Sequence, residues 1–194
     1  MSLERAIRSD KTLRTVGFDD APFERGTDAP VGLAGIVCKG TRFDGMLWGR
    51  VSPDGTSATD EIDRLLADSK FLPQLHAVLL DGIAFAGFNV VDLPALSERL
   101  ALPCIAVMRD RPDFEAIESA LQNVDDSERR LATIRQAGEV FPAADAFFQC
   151  AGCEAAVARR LVDRLSVTGH VPEPLRIAHL VASAVASGES GRRA

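Results

Sequence analysis

Apolar residues in the first third of this 194-residue chain cluster in three short runs, at 13–18, 31–38 and 46–51. The runs are rich in Val, Leu, Ile and Phe, and the stretches between them contain the Gly, Asp, Pro and Thr residues that favour turns. Strands joined by such short connections pair antiparallel, because a parallel pair needs a long crossover. The pattern therefore predicts an antiparallel meander of three strands.

Beyond residue 57 the spacing of apolar residues changes. Within 58–69 they recur three and four positions apart, as on one face of an amphipathic helix, and Ser57 stands at the N-cap position. An unbroken apolar run follows at 77–80, which is typical of a strand covered on both faces. The same criteria predict strands at 104–108 and 146–150 and helices at 93–100, 114–123, 127–136, 154–165 and from Pro172 onward.

The predicted elements run in the order βββ followed by αβαβαβα. This is the order of the ribonuclease H-like fold, so we expect an α/β protein with one mixed sheet and helices on both of its faces. In that sheet an antiparallel β-meander leads into helix-linked parallel strands. No internal repeat or linker interrupts the pattern, and we expect a single domain over residues 1–194 with a flexible tail at 187–194.

Composition narrows the class of protein. With 46% hydrophobic residues and no apolar run of about 18 residues, the chain fits a globular protein and not a disordered or membrane-spanning one. The charged start, MSLERAIRSD, lacks the apolar stretch of a secretory signal, so we expect a cytoplasmic protein with no membrane partner. The 28 acidic and 22 basic residues give a net charge of −6, which taken alone disfavours a nucleic-acid binder.

Cys150 and Cys153 have the two-residue spacing of a redox dithiol or of half a zinc site. A structural zinc ion needs two more soft ligands at suitable spacing, and the chain has neither a second CxxC nor an HxxxH. We therefore interpret the two cysteines as small apolar side chains in a reducing compartment.

Two aspartates stand where predicted strands end: Asp19, with Asp20 beside it, and Asp81. Ligands of open α/β sheets bind beyond the carboxyl ends of the strands. If these two strands are parallel neighbours, as the fold predicts, their carboxylates converge on a site for Mg²⁺ or Mn²⁺. Such an ion can bind a phosphodiester and activate a water molecule. The alternative is that each aspartate caps a turn.

A third ligand is expected from the helix predicted at 58–69. Asp60, Glu61, Asp63 and Asp68 are all candidates, and Asp60 and Glu61 rank first and close together. If Ile62 marks the buried direction, Glu61 flanks the buried stripe and Asp60 faces away from it. Asp60 also lies three residues after Ser57, where an acidic side chain stabilises the start of a helix.

Several segments of the chain resemble the endonuclease V superfamily: GFD at 17–19, LDG at 80–82, CIAVMR at 104–109 and VPEPLRIAHL at 171–180. Two more are similar to its relative, the endonuclease dU family: GFDDAPF at 17–23 and DGIAFAGFNVVD at 81–92. The resemblance extends over essentially the whole chain in order. It implies a ribonuclease H-like, metal-dependent endonuclease of DNA repair that cuts DNA at or near a deaminated base. The family name points to deoxyuridine, whereas endonuclease V takes inosine.

Carried over by position, the resemblance implies that Asp19, Asp60 and Asp81 bind Mg²⁺ or Mn²⁺ and take part in catalysis. A one-residue shift in the alignment would select Glu61 instead of Asp60 as the helix ligand. Arg109 falls where endonuclease V has a lysine near the scissile phosphate, and His179 matches a histidine near the metal site. From the pattern alone, His179 is better explained as a hydrogen-bonded histidine on an apolar helix. The implied partner is damaged DNA that contains uracil or inosine, and the oligomeric state stays open.

Further substrate contacts are expected downstream of the second aspartate and on the last helix. Phe85, Phe88 and Asn89 are candidates to stack on and read a base that has left the helix stack, and Arg176 is a candidate to reach a phosphate. Each has a plainer explanation. The two phenylalanines fit core packing, Asn89 fits a turn, and Arg176 fits a local ion pair with Glu173.

The chain also departs from endonuclease V in two places. Endonuclease V has a histidine six residues after the second aspartate, where this chain has Gly87, and a strand-separating PYIP wedge, where this chain has SPDG at 52–55. Base recognition is therefore not transferable. The alternatives to a deoxyuridine endonuclease are a non-catalytic nucleic-acid-binding or regulatory protein on the same fold, and a nuclease directed at inosine or at RNA.

Overall fold

A computed structural model describes residues 2–191. The strands of this part are β1 (Arg14–Asp20), β2 (Val31–Lys39), β3 (Arg42–Val51), β4 (Ala77–Asp81), β5 (Ala84–Phe85), β6 (Asn89–Val90), β7 (Cys104–Met108), β8 (Phe141–Pro142) and β9 (Phe147–Ala151). Its helices are α1 (Leu3–Arg8), α2 (Ala58–Ala67), α3 (Leu93–Leu100), α4 (Phe114–Leu121), α5 (Ser127–Gln136), α6 (Ala155–Leu165) and α7 (Glu173–Ser187). None of the helices described is both long and apolar enough to span a bilayer.

Seven of the strands form one mixed sheet in the order β3-β2-β1-β4-β7-β9-β8. β1, β2 and β3 pair antiparallel as a meander, and β1, β4 and β7 lie side by side and parallel. Helix α2 lies on the connection from the meander to β4, and α3 on the connection from β4 to β7. For these five strands the predicted antiparallel meander and helix-linked parallel strands are confirmed.

The strand predicted at 146–150 is present as β9, but it was expected to be parallel and is not. β9 runs antiparallel to β7, with Phe147 opposite Met108, and β8 pairs antiparallel with its other edge. The connection explains the difference, because α4 and α5 pack on each other as a hairpin and return the chain to the end of β7 that it left. A strand that starts from this end has to run back along β7.

Both faces of the central strands are buried, as their unbroken apolar runs predict. Along β4, Val78 and Leu80 pack in the cluster that includes α2 and α3, whereas Ala77 and Leu79 pack in the cluster that includes α1 and α6. β7 alternates in the same way. This alternation, with period two, holds helices against the sheet from both sides.

Several short helices and strands are not predicted from the sequence. Helix α1, the hairpin of β5 and β6, and strand β8 are each too short to leave a clear apolar periodicity. At the carboxyl end, α7 includes Ser187, so the predicted flexible tail overlaps the last residue of a helix. Residues 192–194 of that tail lie outside the described part.

Helix α7 packs directly on β1 at Gly17. A Cβ atom at this position would lie 2.7 Å from the carbonyl carbon of Pro174 and 2.8 Å from the backbone nitrogen of Leu175. Only glycine lets the helix backbone approach the strand this closely. The next residue on the same face of β1 is Asp19, so this contact also sets the distance between the helix and that carboxylate.

We predict that Gly17→Ala destabilises the protein, because the added methyl group meets backbone atoms that cannot turn aside. Overpacking of this kind costs about 1–3 kcal/mol, which lowers the melting temperature of a domain of this size by roughly 2–12 °C. The matched control is Gly45→Ala on β3, where the new methyl group would lie 2.5 Å from Cζ of the Phe71 ring. A side chain can shift where backbone atoms cannot, so we expect a smaller loss of stability there. Thermal denaturation followed by circular dichroism measures both, and equal melting temperatures would contradict this account of the contact.

Candidate metal centre

Asp19 and Asp81 lie at neighbouring strand ends. In the parallel pair of β1 and β4, Phe18 is opposite Leu80, so the residues that follow them lie side by side. Helix α7 brings His179 to the same place, where its Nδ1–H donates to Asp19 Oδ2 at 2.9 Å. One oxygen of each carboxylate and one ring nitrogen of His179 lie within 4.8 Å of one another. The structure therefore brings together three of the residues that the sequence singles out.

Arg109 follows β7 and extends over Asp81. Its Nη1 and Nη2 atoms donate to the two carboxylate oxygens of Asp81, at 3.3 and 3.1 Å. The Asp81 side chain is only 8% exposed, whereas the Arg109 side chain is 42% exposed. The guanidinium thus balances a buried negative charge while part of it faces solvent.

These side chains line an open groove of about 440 Å³ at the carboxyl end of the parallel strands, the place where α/β sheets bind ligands. We call it the acidic groove. The residues that line it are Asp19, Asp20, Ala21, Pro22, Phe23, Asp81, Arg109 and His179.

The carboxylates of the acidic groove hold their protons more tightly than ordinary aspartates. Burial raises the pKa of Asp19 to about 6, with a further rise from the negative charge of Asp81, while the hydrogen bond from His179 acts in the opposite direction. Burial also raises the pKa of Asp20 and of Asp81, and Arg109 opposes the shift at Asp81. The hydrogen bond to Asp19 raises the pKa of His179. These groups therefore form a site whose negative charges are costly without a cation beside them.

The donor set of this cluster fits a divalent cation. Two carboxylates provide the hard oxygen ligands that Mg²⁺ and Mn²⁺ prefer, and an imidazole nitrogen suits Mn²⁺ better than Mg²⁺. Burial and, to a smaller extent, repulsion from Asp81 raise the pKa of Asp19, and a cation between the carboxylates would offset both effects. Within residues 2–191, no cysteine belongs to a cluster of this kind, so Cys150 and Cys153 do not form a metal site there.

The helix ligand expected at Asp60 is not part of this cluster, and neither is Glu61. The carboxylate of Asp60 is 71% exposed and forms an ion pair with Arg99 at 2.6 Å. Glu61 pairs with Arg64 and accepts a hydrogen bond from the backbone of Arg50. The physical reason is the placement of α2, which packs on the face of the sheet opposite α7. In the described cluster, the third member beside the two aspartates is His179.

Two residues expected to read a base are buried and structural instead. Phe85 is fully buried in the apolar core. Asn89 is also fully buried, where its side-chain oxygen accepts from the backbone N–H of Ala58 at 2.9 Å and its amide donates to the carbonyl of Ser52 at 3.1 Å. Asn89 therefore holds the start of α2. Phe88 is half-buried and packs against a small cluster that includes α4 and α5.

Arg176 makes a two-pronged ion pair with Glu173, at 2.8 and 2.6 Å, and does not line the acidic groove. The plainer explanation of a local pair on α7 accounts for its contacts.

Ala21, Pro22 and Phe23 line the groove directly after Asp19 and Asp20, and no sequence motif assigns them a role. Their position in the sequence could have identified them, because the residues that follow the end of a strand form the rim of a site at that end.

Comparison with known proteins identifies the family of this chain. Residues 11–186 match the model of a family described as endonuclease dU. This chain belongs to the endonuclease dU family. A UPF0215 protein of Deinococcus radiodurans is 43% identical over 176 residues, which cover 90% of each chain, and one of Methanopyrus kandleri is 39% identical over 92% of this chain and 93% of its own.

Solved structures give the fold of this endonuclease dU member. A protein of unknown function from Archaeoglobus fulgidus has a TM-score of 0.84 at 35% identity, over 89% of this chain and 98% of its own. The catalytic domain of human endonuclease V has a TM-score of 0.60 at 14% identity, over 94% of this chain and 85% of its own. Ciona intestinalis endonuclease V has a TM-score of 0.56 at 16% identity, over 87% of this chain and 84% of its own. That structure is a complex with a 24mer DNA containing an inosine followed by a ribo-adenosine. The predicted ribonuclease H-like fold is confirmed.

Gly87 has a structural reason in this member of the family. Its φ is +90°, and a Cβ atom there would collide with the Oδ1 atom of Asp54. The same Asp54 oxygen accepts a hydrogen bond from the backbone of Phe88 at 2.7 Å. A histidine at this position would therefore strain the backbone and break the turn of the β5–β6 hairpin.

We predict that Asp19→Asn stabilises the metal-free protein at neutral pH but not in acid. The folded protein binds a proton at Asp19 with a pKa of about 6, above the ordinary value of 3.8, so the wild-type protein loses stability as pH rises through this range. From pH 4 to 7.5 the variant should gain roughly 1–3 kcal/mol relative to wild type, since one pKa unit corresponds to about 1.4 kcal/mol.

Urea denaturation in EDTA across this pH range measures the difference. The matched control is Asp60→Asn, which removes an exposed carboxylate outside the acidic groove and so shows the general effect of losing one negative charge. A gain of the same size at pH 4 and pH 7.5 would overturn the assignment of the shift to Asp19.

Proposed function

We propose that this protein is a divalent-metal-dependent endonuclease of DNA repair. It cleaves a phosphodiester bond at or near a deaminated base, with deoxyuridine as its lesion and Mg²⁺ or Mn²⁺ as its cofactor. The observation that carries the proposal is the cluster of Asp19, Asp81 and His179 in the acidic groove. The match of residues 11–186 to the endonuclease dU model and the fold likeness to endonuclease V support it.

Asp19 and Asp81 are the residues that would hold the cation, through the oxygens that already lie together. A bound divalent cation polarises a phosphate oxygen and lowers the pKa of a coordinated water molecule. His179 orients the Asp19 carboxylate through its Nδ1–H, in the way that hydrogen bonds to ligands commonly fix a metal site. The same hydrogen bond raises the pKa of His179.

Arg109 contributes the phosphate contact. Without a cation its two N–H groups are engaged by Asp81. Once a cation balances the charge of Asp81, these N–H groups are available to a phosphate oxygen, and a planar guanidinium suits two-pronged contacts of this kind. The charge that develops on the phosphate during cleavage is then stabilised by a donor that is already in place.

The net charge of −6 fits this proposal because the acidic groove itself holds several of the negative charges. Bound cations reverse the local sign where the phosphate would lie. DNA affinity should therefore depend on the metal, with Arg109 and the exposed Arg111 as nearby positive charges.

A second candidate function rests on one observation. Gly87 stands where endonuclease V has a histidine, and the backbone at this position excludes a side chain. A non-catalytic nucleic-acid-binding or regulatory protein needs no such histidine. It would bind DNA or RNA with Asp19 replaced and would show no metal-dependent cleavage.

We expect the purified protein to nick DNA with a single deoxyuridine, in single strand or duplex, when Mg²⁺ or Mn²⁺ is present. Asp19→Asn and Asp81→Asn should each lower the rate by roughly 100-fold or more, the scale of losing one electrostatic group at a reacting centre. Asp60→Asn should stay within about threefold of wild type, because exposed ion pairs contribute little. Denaturing gels of end-labelled strands measure the product.

The assay needs matched substrates. The same strand with thymidine, with deoxyinosine and with ribonucleotides separates a deoxyuridine endonuclease from an inosine- or RNA-directed one. A folded protein that cleaves none of these strands with either metal would contradict the nuclease proposal. Binding of DNA or RNA that persists in Asp19→Asn would then favour the non-catalytic alternative.

A further inference from the structure

A second groove lies beside the acidic groove and shares a wall with it. It has a volume of about 440 Å³ and a partly apolar lining. Its floor is formed by Gly32 of β2 and by Trp48 and Arg50 of β3, and its walls by the loop at 21–30 and by the last turn of α7. We call it the Trp48 groove. Ala21, Pro22 and Phe23 line both grooves, so the two are continuous around this short segment.

The strand register places Trp48 at a defined distance from the metal centre. Asp19 is opposite Ala34 on β2, and Ala34 is opposite Trp48 on β3, so the three residues share one face of the sheet. Neighbouring strands are about 4.8 Å apart, which puts the backbone of Trp48 roughly 10 Å from that of Asp19. Helix α7 gives a second measure, because His179 lines one groove and Val185 the other, six residues or about 9 Å along the axis.

Trp48 presents an aromatic face to this groove. A Cβ atom at Gly32 would lie 2.5 Å from Trp48 Cζ2, so the indole lies across the backbone of β2 where a side chain is missing. The indole is half-buried, and Phe23 and Pro22 stand on the wall. An aromatic floor with apolar walls is the surface on which unstacked nucleobases stack in single-strand-binding proteins.

The groove is lined by one residue of each charge, Arg50 and Glu24. Arg50 is exposed, and its side chain makes no ion pair with a carboxylate among the residues that the structure describes. Arg50 meets Glu61 through its backbone N–H, and the residue lines the groove. A guanidinium next to a stacking surface is what a nucleotide, with its base and its phosphate, requires.

We propose that the Trp48 groove binds an unstacked nucleobase of the strand whose phosphate lies in the acidic groove. This inference rests on the proposed function, because it takes the acidic groove as the place of the scissile phosphate. A span of roughly 10 Å equals about three steps of a stacked strand at ~3.4 Å a step, and fewer steps of an extended strand. The bound base therefore lies one to three nucleotides from the cleaved bond, and Arg50 contacts the phosphate beside it.

Trp48 reports on its own groove, since it is the one tryptophan in the sequence. The wild-type protein with Mg²⁺ is mixed rapidly with a deoxyuridine-containing single strand, and tryptophan fluorescence is followed before product forms. We expect quenching that saturates with the strand. Strands with single abasic sites placed one, two or three nucleotides to either side of the deoxyuridine should include one that abolishes the quenching while still competing for the protein.

Variants give an independent readout. Trp48→Ala should raise KM for nicking about 10-fold with little change in kcat, because loss of one base–aromatic stack weakens binding and leaves the metal centre intact. Trp48→Phe should recover most of the loss. The matched control is Phe43→Ala, which removes another half-exposed aromatic of β3 that does not line the groove. Melting temperatures of all three variants show whether a loss reflects unfolding, and the fluorescence experiment needs no variant.

The two proposals can fail separately. Nicking that proceeds with no quenching, and with an unchanged KM in folded Trp48→Ala, would overturn the Trp48 groove and leave the nuclease intact. Base-dependent quenching in a protein that never nicks would retain the groove as a base site and overturn the nuclease. Quenching that depends on protein concentration and not on the strand would assign the groove to a second copy of this chain and overturn the inference.

Discussion

The parallel pairing of β1 with β4 brings the carboxylates of Asp19 and Asp81 close together, and the other contacts of the site depend on that constraint. Each of these strands is buried on both faces, so its register is fixed by the packing and cannot slip to separate Asp19 from Asp81. Burial then makes each negative charge costly, as the raised pKa of Asp19 shows. His179 and Arg109 bring one partner to each carboxylate. The geometry fits the divalent cation that we propose for this site.

The contact between Gly17 and α7 connects this constraint to the fold as a whole. The helix has to lie on the strand backbone for His179 to reach Asp19, and only a residue without a side chain permits it. The same helix continues to Val185 at the Trp48 groove. One helix therefore lines both the proposed phosphate site and the proposed base site, and its position affects both.

Sequence alone predicts what depends on local periodicity. The burial of β4 and β7 follows from their unbroken apolar runs, and Asp19 and Asp81 follow from the positions where such runs end. The direction of β9 does not, because it depends on the way α4 and α5 fold back on each other. His179 is identified through the family resemblance, since its position on a helix face is equally that of an ordinary core-edge histidine.

The errors concern contacts between residues far apart in the chain. Helical spacing shows how Asp60 is oriented on α2, but not which face of the sheet α2 covers or that Arg99 of α3 meets its carboxylate. Phe85 and Asn89 stand close to Asp81 in sequence and are nevertheless buried among other elements. Trp48 carries no motif, and its exposure depends on a glycine of the neighbouring strand.

The central claim is that Asp19 and Asp81 form one metal centre with His179 at its edge. Anomalous X-ray scattering from crystals grown with Mn²⁺ tests it most directly, because the signal locates the ion without reference to activity. The account predicts a peak between the carboxylates of Asp19 and Asp81, lost in Asp81→Asn and kept in Asp60→Asn. No peak there, or a peak bound by Asp60 on α2, would contradict it.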